Sequence, residues 1–327
     1  MPYKPPFELT EEMIDLVSKI MENLGYLNSI NELEKFPRLR RVSRLKSVQS
    51  SLAIENNTLS LEEISDVIDG RKVLGKQEDI QAAKNAFAAY KMISRIDAYD
   101  ISSLLKVHRI MMSGLIADAG SFRSKGVGIF DFANNLVHMA PPAKIVFDNM
   151  RNLFVWLKTS DTNILIKSCV FHYEFEFIHP FSDGNGRMGR LWQTVILSKW
   201  KPIFEWIPIE SIIKDNQEAY YKAIECSTKK STSTPFIEFM LLCINDAIKD
   251  IVMNSRSHYK HISRQVNALM EVIDVYPQST NELMEKLHLK SKDSFRNHYI
   301  KPALEAGLIA MTSPDKPRSR NQGYYKI

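Results

Sequence analysis

Apolar residues recur every third or fourth position over Glu78–Ile96, Ile101–Leu115, Asn163–Ile178, Arg187–Trp200 and Pro235–Met253. That spacing predicts helices, each presenting a buried stripe. A further helix is expected from about Leu39 to Glu55, ended by a turn at Asn56-Asn57. The run Ser60-Leu-Glu-Glu63 has the form of a capping box, so a new helix is expected to begin there. One stretch breaks the helical period. Gly126–Pro142 carries strand-like residues on both sides of Asn134-Asn135, which predicts a β-hairpin. A lone hairpin among helices has unpaired edges, so it is either covered or used to bind another chain.

The pattern changes again after about Ser263. A second capping box, Ser279-Thr-Asn-Glu282, opens a short helix. A turn at Leu289–Ser291 leads to another helix over Lys292–Ala306, with Gly307 as its C-terminal cap. Leu308–Thr312 and Gln322–Ile327 read as strands flanking the loop Pro314–Arg320. Helix, turn, helix and a basic-tipped hairpin make the pattern of a winged helix. The polar, basic stretch Ile251–His261 is expected to be a linker before it.

Composition bounds the class. The chain has 327 residues, which suggests two or three domains. Its hydrophobic share of 44% and charged share of 25% exclude a disordered chain. A net charge of +5 permits contact with nucleic acid or phosphate without requiring it. Cys169, Cys226 and Cys243 lie scattered in apolar stretches and suggest neither a disulfide framework nor a zinc site. No apolar run reaches the roughly 18 residues of a membrane span, and the N-terminus has no signal-peptide core. A cytoplasmic protein without membrane contact is expected.

The chemistry concentrates at His179-Pro-Phe-Ser-Asp-Gly-Asn-Gly-Arg-Met-Gly-Arg190. Pro180 discourages helix at His179, and the two glycines of Asp183-Gly-Asn-Gly186 let the backbone bend and approach a ligand. A glycine loop that feeds a helix N-terminus is an anion site. Arg187 and Arg190 share a face of that helix and suit a polyphosphate. Asp183 is a hard-oxygen ligand for Mg²⁺. His179, at the lip of the loop, is the candidate general base. Phosphoryl or nucleotidyl transfer is the reaction this set predicts.

The same stretch matches the Fic family motif, His-Pro-Phe-x-(Asp/Glu)-Gly-Asn-Gly-Arg-x-x-Arg, at every fixed position, and His172–Ile178 resembles the family's preceding helix. The resemblance implies a mainly α fold: a Fic (Fido) helical core with a β-hairpin flap. Together with the C-terminal pattern it gives a helical region over 1–95, a Fic core over 96–250 and a winged helix-turn-helix domain over 263–327. It implies a protein adenylyltransferase that moves AMP from ATP to a Tyr, Thr or Ser hydroxyl of a target protein (AMPylation). In that role His179 is the base and Asp183 holds Mg²⁺. Gly184, Asn185 and Gly186 hold the α-phosphate region, and Arg187 and Arg190 the outer phosphates. Asn216 and Tyr220 lie where the family often contacts adenosine. Gly120-Ser-Phe-Arg123 through Pro142 resembles the flap that aligns the target chain by strand pairing. Ser51-Leu-Ala-Ile-Glu55-Asn56 matches the family's inhibitory pattern, (Ser/Thr)-x-x-x-Glu-(Gly/Asn), within a helix over about 39–56, and Arg190 is the expected cationic partner of Glu55.

Three alternatives stay open. Glu55 could position a water so that the same site removes AMP, or the donor could be a different phosphate-containing group. The chain could also be a DNA-binding regulator in which the Fic core is a sensor, with Lys290, Lys292, Arg296, Lys301, Arg318 and Arg320 facing DNA. Winged helices serve equally as protein-binding or dimer modules, so a homodimer is a candidate assembly. His172, one turn before the motif on the helical repeat, is expected to be buried and structural.

Overall fold

The computed structural model describes residues 3–30, 37–130, 136–261, 263–305, 308–317, 319 and 322–326. The chain forms two compact units, residues 1–26 with 42–249, and residues 27–41 with 250–327. Helices run in order α1 (Glu11–Ile30), α2 (Pro37–Ile54), α3 (Leu61–Ile68), α4 (Gln77–Tyr90), α5 (Ile101–Met111), α6 (Val146–Thr159), α7 (Ile164–Ile178), α8 (Asn185–Trp200), α9 (Ile209–Asp215), α10 (Gln217–Lys230) and α11 (Thr234–His261). The described part of α11 and all other described helices are too short or too polar to cross a membrane.

The centre of the larger unit is α7, packed on α8. From Leu165 to Glu176 every residue of α7 is buried. A helix that is apolar nearly all round belongs inside a protein, and α7 is surrounded by α6, α8 and the aromatic rings of α10 and α11. Asn163 caps its start through a bond from Leu165 N–H, 3.0 Å. Its end is set by His179, which takes φ +49, followed by Pro180. A left-handed residue before a proline is a sharp helix stop. Gly184, at φ +83, then starts α8. A Cβ on Gly184 would meet Met112 Sδ at 2.6 Å, so only glycine fits that corner.

The hairpin is present as β1 (Gly128–Phe130) and β2 (Leu136–Met139), antiparallel, with Gly128 opposite Met139 and an irregularity after Ile129. Its expected turn at Asn134-Asn135 lies outside the described residues. The capping box at Ser60 and Glu63 forms in full and starts α3.

Several boundaries differ from the sequence reading. α4 stops at Tyr90, with a 3₁₀ turn at Ile93–Arg95 in place of its expected last turns. The expected linker Ile251–His261 is helical, the last turns of α11. It contains neither proline nor glycine, so nothing local interrupts the helix, and a polar composition alone does not.

The smaller unit contains α12 (Arg264–Val272), β3 (Gln278–Ser279), α13 (Thr280–Lys286), α14 (Lys292–Phe295), α15 (Lys301–Glu305), β4 (Ile309–Met311) and β5 (Gly323–Lys326). The strands form one antiparallel sheet in the order β3-β5-β4. The capping box at Ser279 and Glu282 forms as expected. α14 and α15 are joined by a π turn over Arg296–Ile300, in which Lys301 N–H bonds Arg296 O. The next residue is Pro302, which lacks the N–H an α-helix would need there, and the wider turn absorbs the loss. The expected cap at Gly307 and the arginines 318 and 320 lie outside the described residues. Leu269, Leu283, Phe295, Ile300, Ile309 and Tyr324 make the unit's core, with Leu39 packed against it.

Candidate active site

The loop from His179 to Asn185 is closed by its own side chains. Asn185 Oδ1 accepts from Phe181 N–H at 2.8 Å, and Asn185 Nδ2 donates to Phe181 O at 2.9 Å. This reciprocal pair engages the Asn185 amide in shaping the loop, and the Asn185 backbone N–H lies at the helix start. Met188 is the first residue of α8 to bond back, to Gly184 O at 3.0 Å. The amides of Asn185, Gly186 and Arg187 therefore have no intrahelical acceptor and sit at the positive end of the dipole.

Two buried groups that the sequence reading did not single out for this work brace the loop. His108 stacks on Phe181 with ring centroids 3.6 Å apart. Its Nδ1 accepts from Gly120 N–H at 2.9 Å, which fixes the proton on Nε2, and Nε2–H donates to Asp183 O at 3.0 Å. Burial pushes the His108 pKa down to about 4, so the ring is neutral at physiological pH. Arg123, quoted at the base of the flap, has a precise structural task. Buried, it donates to the carbonyls of His179 (2.7 Å), Ile178 (3.2 Å), Lys125 (2.8 Å) and Pro141 (2.6 Å). One guanidinium thus ties both ends of the hairpin to the C-terminus of α7, where carbonyls have no helical donor. A carbonyl cluster recruiting a lone arginine leaves no charge pair in the sequence to notice.

Asp183 has a half-exposed side chain, and both its oxygens lie 3.2 Å from Arg187 Nη2. Arg187 is buried, and its Nε has no hydrogen-bond partner among the described residues. These two residues, with Glu55, Glu78, Asp79 and Leu52, line a cavity of about 250 Å³. No group of three or more His, Cys, Asp or Glu side chains able to hold a metal occurs among the described residues. Mg²⁺ needs only one or two carboxylates when substrate phosphates complete its shell. An exposed Asp183 beside an orphaned arginine N–H fits a metal that arrives on a polyphosphate.

Arg190 projects from the next turn of α8 and is 2% exposed. Its Nη2 lies 2.7 Å from Glu55 Oε1 and 3.0 Å from Ser51 O, and its Nε donates to Ser51 Oγ at 3.1 Å. Burial alone would lower the Arg190 pKa, but the charge and hydrogen bond of Glu55 reverse this and hold it above its ordinary value. The inhibitory-pattern residues and the motif arginine, 135 positions apart, therefore meet. Asn56 takes φ +63 and ends α2 there, with its N–H on Ala53 O at 3.0 Å. Asparagine tolerates that left-handed position better than most residues, which explains a Gly/Asn choice after the glutamate. Gly186 leaves room for the pair, since a Cβ there would lie 2.5 Å from Glu55 Oε1.

The two residues expected to contact adenosine, Asn216 and Tyr220, differ in setting. Tyr220 is 2% exposed, and its hydroxyl bonds His172 Nε2 at 3.1 Å. Its ring packs on Phe236 and Phe239. Asn216 is exposed between α9 and α10, and its amide donates to Ile212 O at 2.9 Å as a helix-end cap. His172 is fully buried, as expected.

The domain description "Fic/DOC family" matches residues 98–197, and "Filamentation induced by cAMP protein Fic-like, C-terminal domain" matches residues 264–326. A crystal structure of a Fic family protein from Desulfovibrio desulfuricans G20 is 45% identical, covers 99% of this chain and 98% of its own, and superposes with a TM-score of 0.76. This chain belongs to the Fic family. The Fic fold is shared more distantly with Fic-1 of Caenorhabditis elegans, 18% identical with a TM-score of 0.61 over 76% of this chain and 73% of that one. Among curated relatives, "Protein adenylyltransferase Fic" of Nematostella vectensis is 27% identical over 257 residues, 74% of this chain and 56% of that protein. "Protein adenylyltransferase fic-1" of Caenorhabditis elegans is 25% identical over 230 residues, 65% of this chain and 42% of that protein. The chain spans about half the length of the curated relatives it matches.

Proposed function

We propose that this Fic protein is an adenylyltransferase that moves AMP from ATP to a protein hydroxyl. The reading rests on one observation: a histidine, an exposed aspartate, a glycine-cornered helix N-terminus and two arginines converge on a single closed loop. The target's hydroxyl oxygen attacks the α-phosphorus, its proton passes to His179, and the bond to pyrophosphate breaks. The amides at the start of α8 orient the α-phosphate, and Arg187 and Arg190 bind the outer phosphates. Mg²⁺ held by Asp183 would neutralise charge on those phosphates when bound. Glu55 occupies Arg190 and keeps the resting protein nearly silent. That engaged carboxylate favours an inhibitory role over the orientation of a water for AMP removal. Intact-mass measurement after incubation with ATP and Mg²⁺, on protein relieved of Glu55, should show a gain of one or more AMP units. Mass unchanged in folded, ATP-binding protein would overturn the assignment.

The hairpin is proposed to align the target by backbone pairing, since β1 and β2 pair only with each other among the described strands. Gly128→Pro removes a donor from β1 that faces away from β2, since the Ala140 N–H to Val127 O bond and the register make Gly128–Met139 a non-hydrogen-bonded pair. Modification of a protein target should fall several-fold, consistent with loss of about 1 kcal/mol of hydrogen bonding, while ATP affinity stays constant. Equal losses in both would mean that the hairpin is only structural.

A second reading concerns the smaller unit. Lys292 and Arg296 line a concavity of about 450 Å³ with Ser279, Asn281 and Ser319, and Lys292 and Arg296 are exposed. Asp293 also lines the hollow, but the two cations outnumber it, and with the hydroxyls they suit DNA phosphates. Binding should weaken steeply with salt and vanish in Lys292→Glu/Arg296→Glu, measured by fluorescence titration of labelled duplex. No binding at low salt would retire this reading and leave the transferase assignment untouched.

A further inference from the structure

Glu176 lies one turn before His179 on α7 and has no role in the chemistry above. It is 4% exposed, and its Oε1 has no hydrogen-bond partner among the described residues. Oε2 lies 3.8 Å from His179 Nδ1, and Oε1 lies 3.8 Å from His172 Nε2. The two imidazoles are not equivalent. His172 Nδ1 is 2.7 Å from Gln193 Oε1, an acceptor, so Nδ1 carries the proton there. His172 Nε2 is then a lone pair that receives the Tyr220 hydroxyl. With burial holding its pKa down to about 3, His172 has no proton to offer Glu176. His179 is different, because its Nδ1 faces two acceptors, the Glu176 carboxylate and the Glu176 carbonyl at 3.3 Å. Gly189 on α8 makes space for this carboxylate, since a Cβ there would lie 2.5 Å from Oε1. A buried carboxylate kept without donors is costly unless it serves a purpose.

We propose that Glu176 is a positioning residue that selects the His179 tautomer with the proton on Nδ1, leaving Nε2 as the base. The inference rests on the reading of His179 as the proton acceptor. Ionised, the carboxylate attracts Nδ1–H electrostatically across 3.8 Å and adds to the carbonyl that already accepts there. The proton of the target hydroxyl then moves to Nε2, and the resulting imidazolium faces the carboxylate; no proton passes to Glu176. Protonated, Glu176 instead donates to Nδ1, which places the ring proton on Nε2 and disables the base.

The charged and titratable groups around it set when each state exists. His172 and His179 face it from its own helix, Arg190 from α8, Glu55 from α2, and Tyr220 and Tyr221 from α10. Burial pushes its pKa up to about 8, Arg190 opposes this and Glu55 adds to it. The working, ionised form is therefore present above about pH 8 and lost as pH falls through that value while Glu55 is docked. Departure of Glu55 removes one of the raising influences and extends the working range downward.

The test measures the ¹⁵N shifts of the His179 ring against pH in the Glu55→Gly protein, with and without Glu176→Gln, alongside single-turnover AMP transfer. With Glu176 present, the Nδ1–H tautomer should gain population as pH rises through the Glu176 titration. Glu176→Gln should erase that step and slow transfer roughly ten- to a hundredfold, with ATP affinity kept. Glu176→Asp, which keeps a carboxylate, should restore part of the pH step, and Glu176→Met, which lacks one, serves in place of the glutamine variant if that protein does not fold. Identical His179 shifts and pH profiles with and without the carboxylate would overturn the proposal. A tautomer that responds to Glu176 in a protein whose His179→Asn variant still transfers AMP would instead sink the base assignment and leave the positioning contact standing.

Discussion

Glu55→Gly should raise AMP incorporation by about a hundredfold or more over the resting protein, the scale on which small misplacements of reacting groups act. Arg190 is almost wholly buried, and three of its bonds go to α2: two to Ser51 and one, at 2.7 Å, to Glu55. Under the proposed function an arginine so engaged is withheld from the phosphates, and ATP is expected to bind in a pose whose α-phosphate is out of line with the attacking hydroxyl. Removing the carboxylate leaves Ser51 as a weak, neutral partner and returns the guanidinium to the ligand. The substitution falls on the last turn before Asn56, where a glycine costs well under 1 kcal/mol, less than in a helix interior. Two further results should accompany the gain. Added ATP should raise the melting temperature more in Glu55→Gly than in the unaltered protein, because a buried cation left unpaired is recovered by phosphate. Arg190→Ala should abolish transfer even when combined with Glu55→Gly. Labelled ATP and the four proteins suffice for the measurement. An unchanged rate in correctly folded Glu55→Gly would reduce Glu55 to a structural ion pair.

In the Glu55→Gly background, loss of His179 should slow transfer by roughly 10²- to 10⁴-fold, the usual worth of a positioned general base. ATP affinity should change by less than about twofold, because the amides of α8 and the two arginines are untouched. The choice of substitution matters here. His179 sits at φ +49, where alanine pays about 1–2 kcal/mol and asparagine pays less. His179→Asn therefore separates lost chemistry from a distorted loop, and circular dichroism should show both variants folded. Transfer by His179→Asn at a near-normal rate would remove the histidine from the mechanism and point to an unassisted hydroxyl.

Much of this was legible in local sequence because the physics is local. Ser60 with Glu63 and Ser279 with Glu282 cap helices through groups three residues apart. The glycines of the loop, the proline after His179 and the asparagine after Glu55 act on their own or adjacent dihedral angles. The motif could therefore be read as an anion site, and the inhibitory pattern as one face of a helix, before any packing was known. Polar composition misled at 251–261, since nothing in those residues breaks a helix.

Tertiary structure decided which of those groups meet. The union of Ser51 and Glu55 with Arg190 spans more than a hundred residues, and no periodicity encodes it; the family resemblance named the Glu55 partner, and packing supplied the two further bonds to Ser51. Arg123 found carbonyls at the end of α7 instead of a carboxylate, and His108 acquired one tautomer by standing between Gly120 and Asp183. Tyr220 turned inward to His172 because the aromatic core of α10 and α11 gives its ring more contact than solvent would. Glu176, an ordinary glutamate on a helical repeat, became a buried carboxylate facing His179 only because Gly189 on a neighbouring helix left a space of that size. Each of these depends on which surfaces pack together, and packing is a property of the folded chain as a whole, beyond what adjacent residues specify.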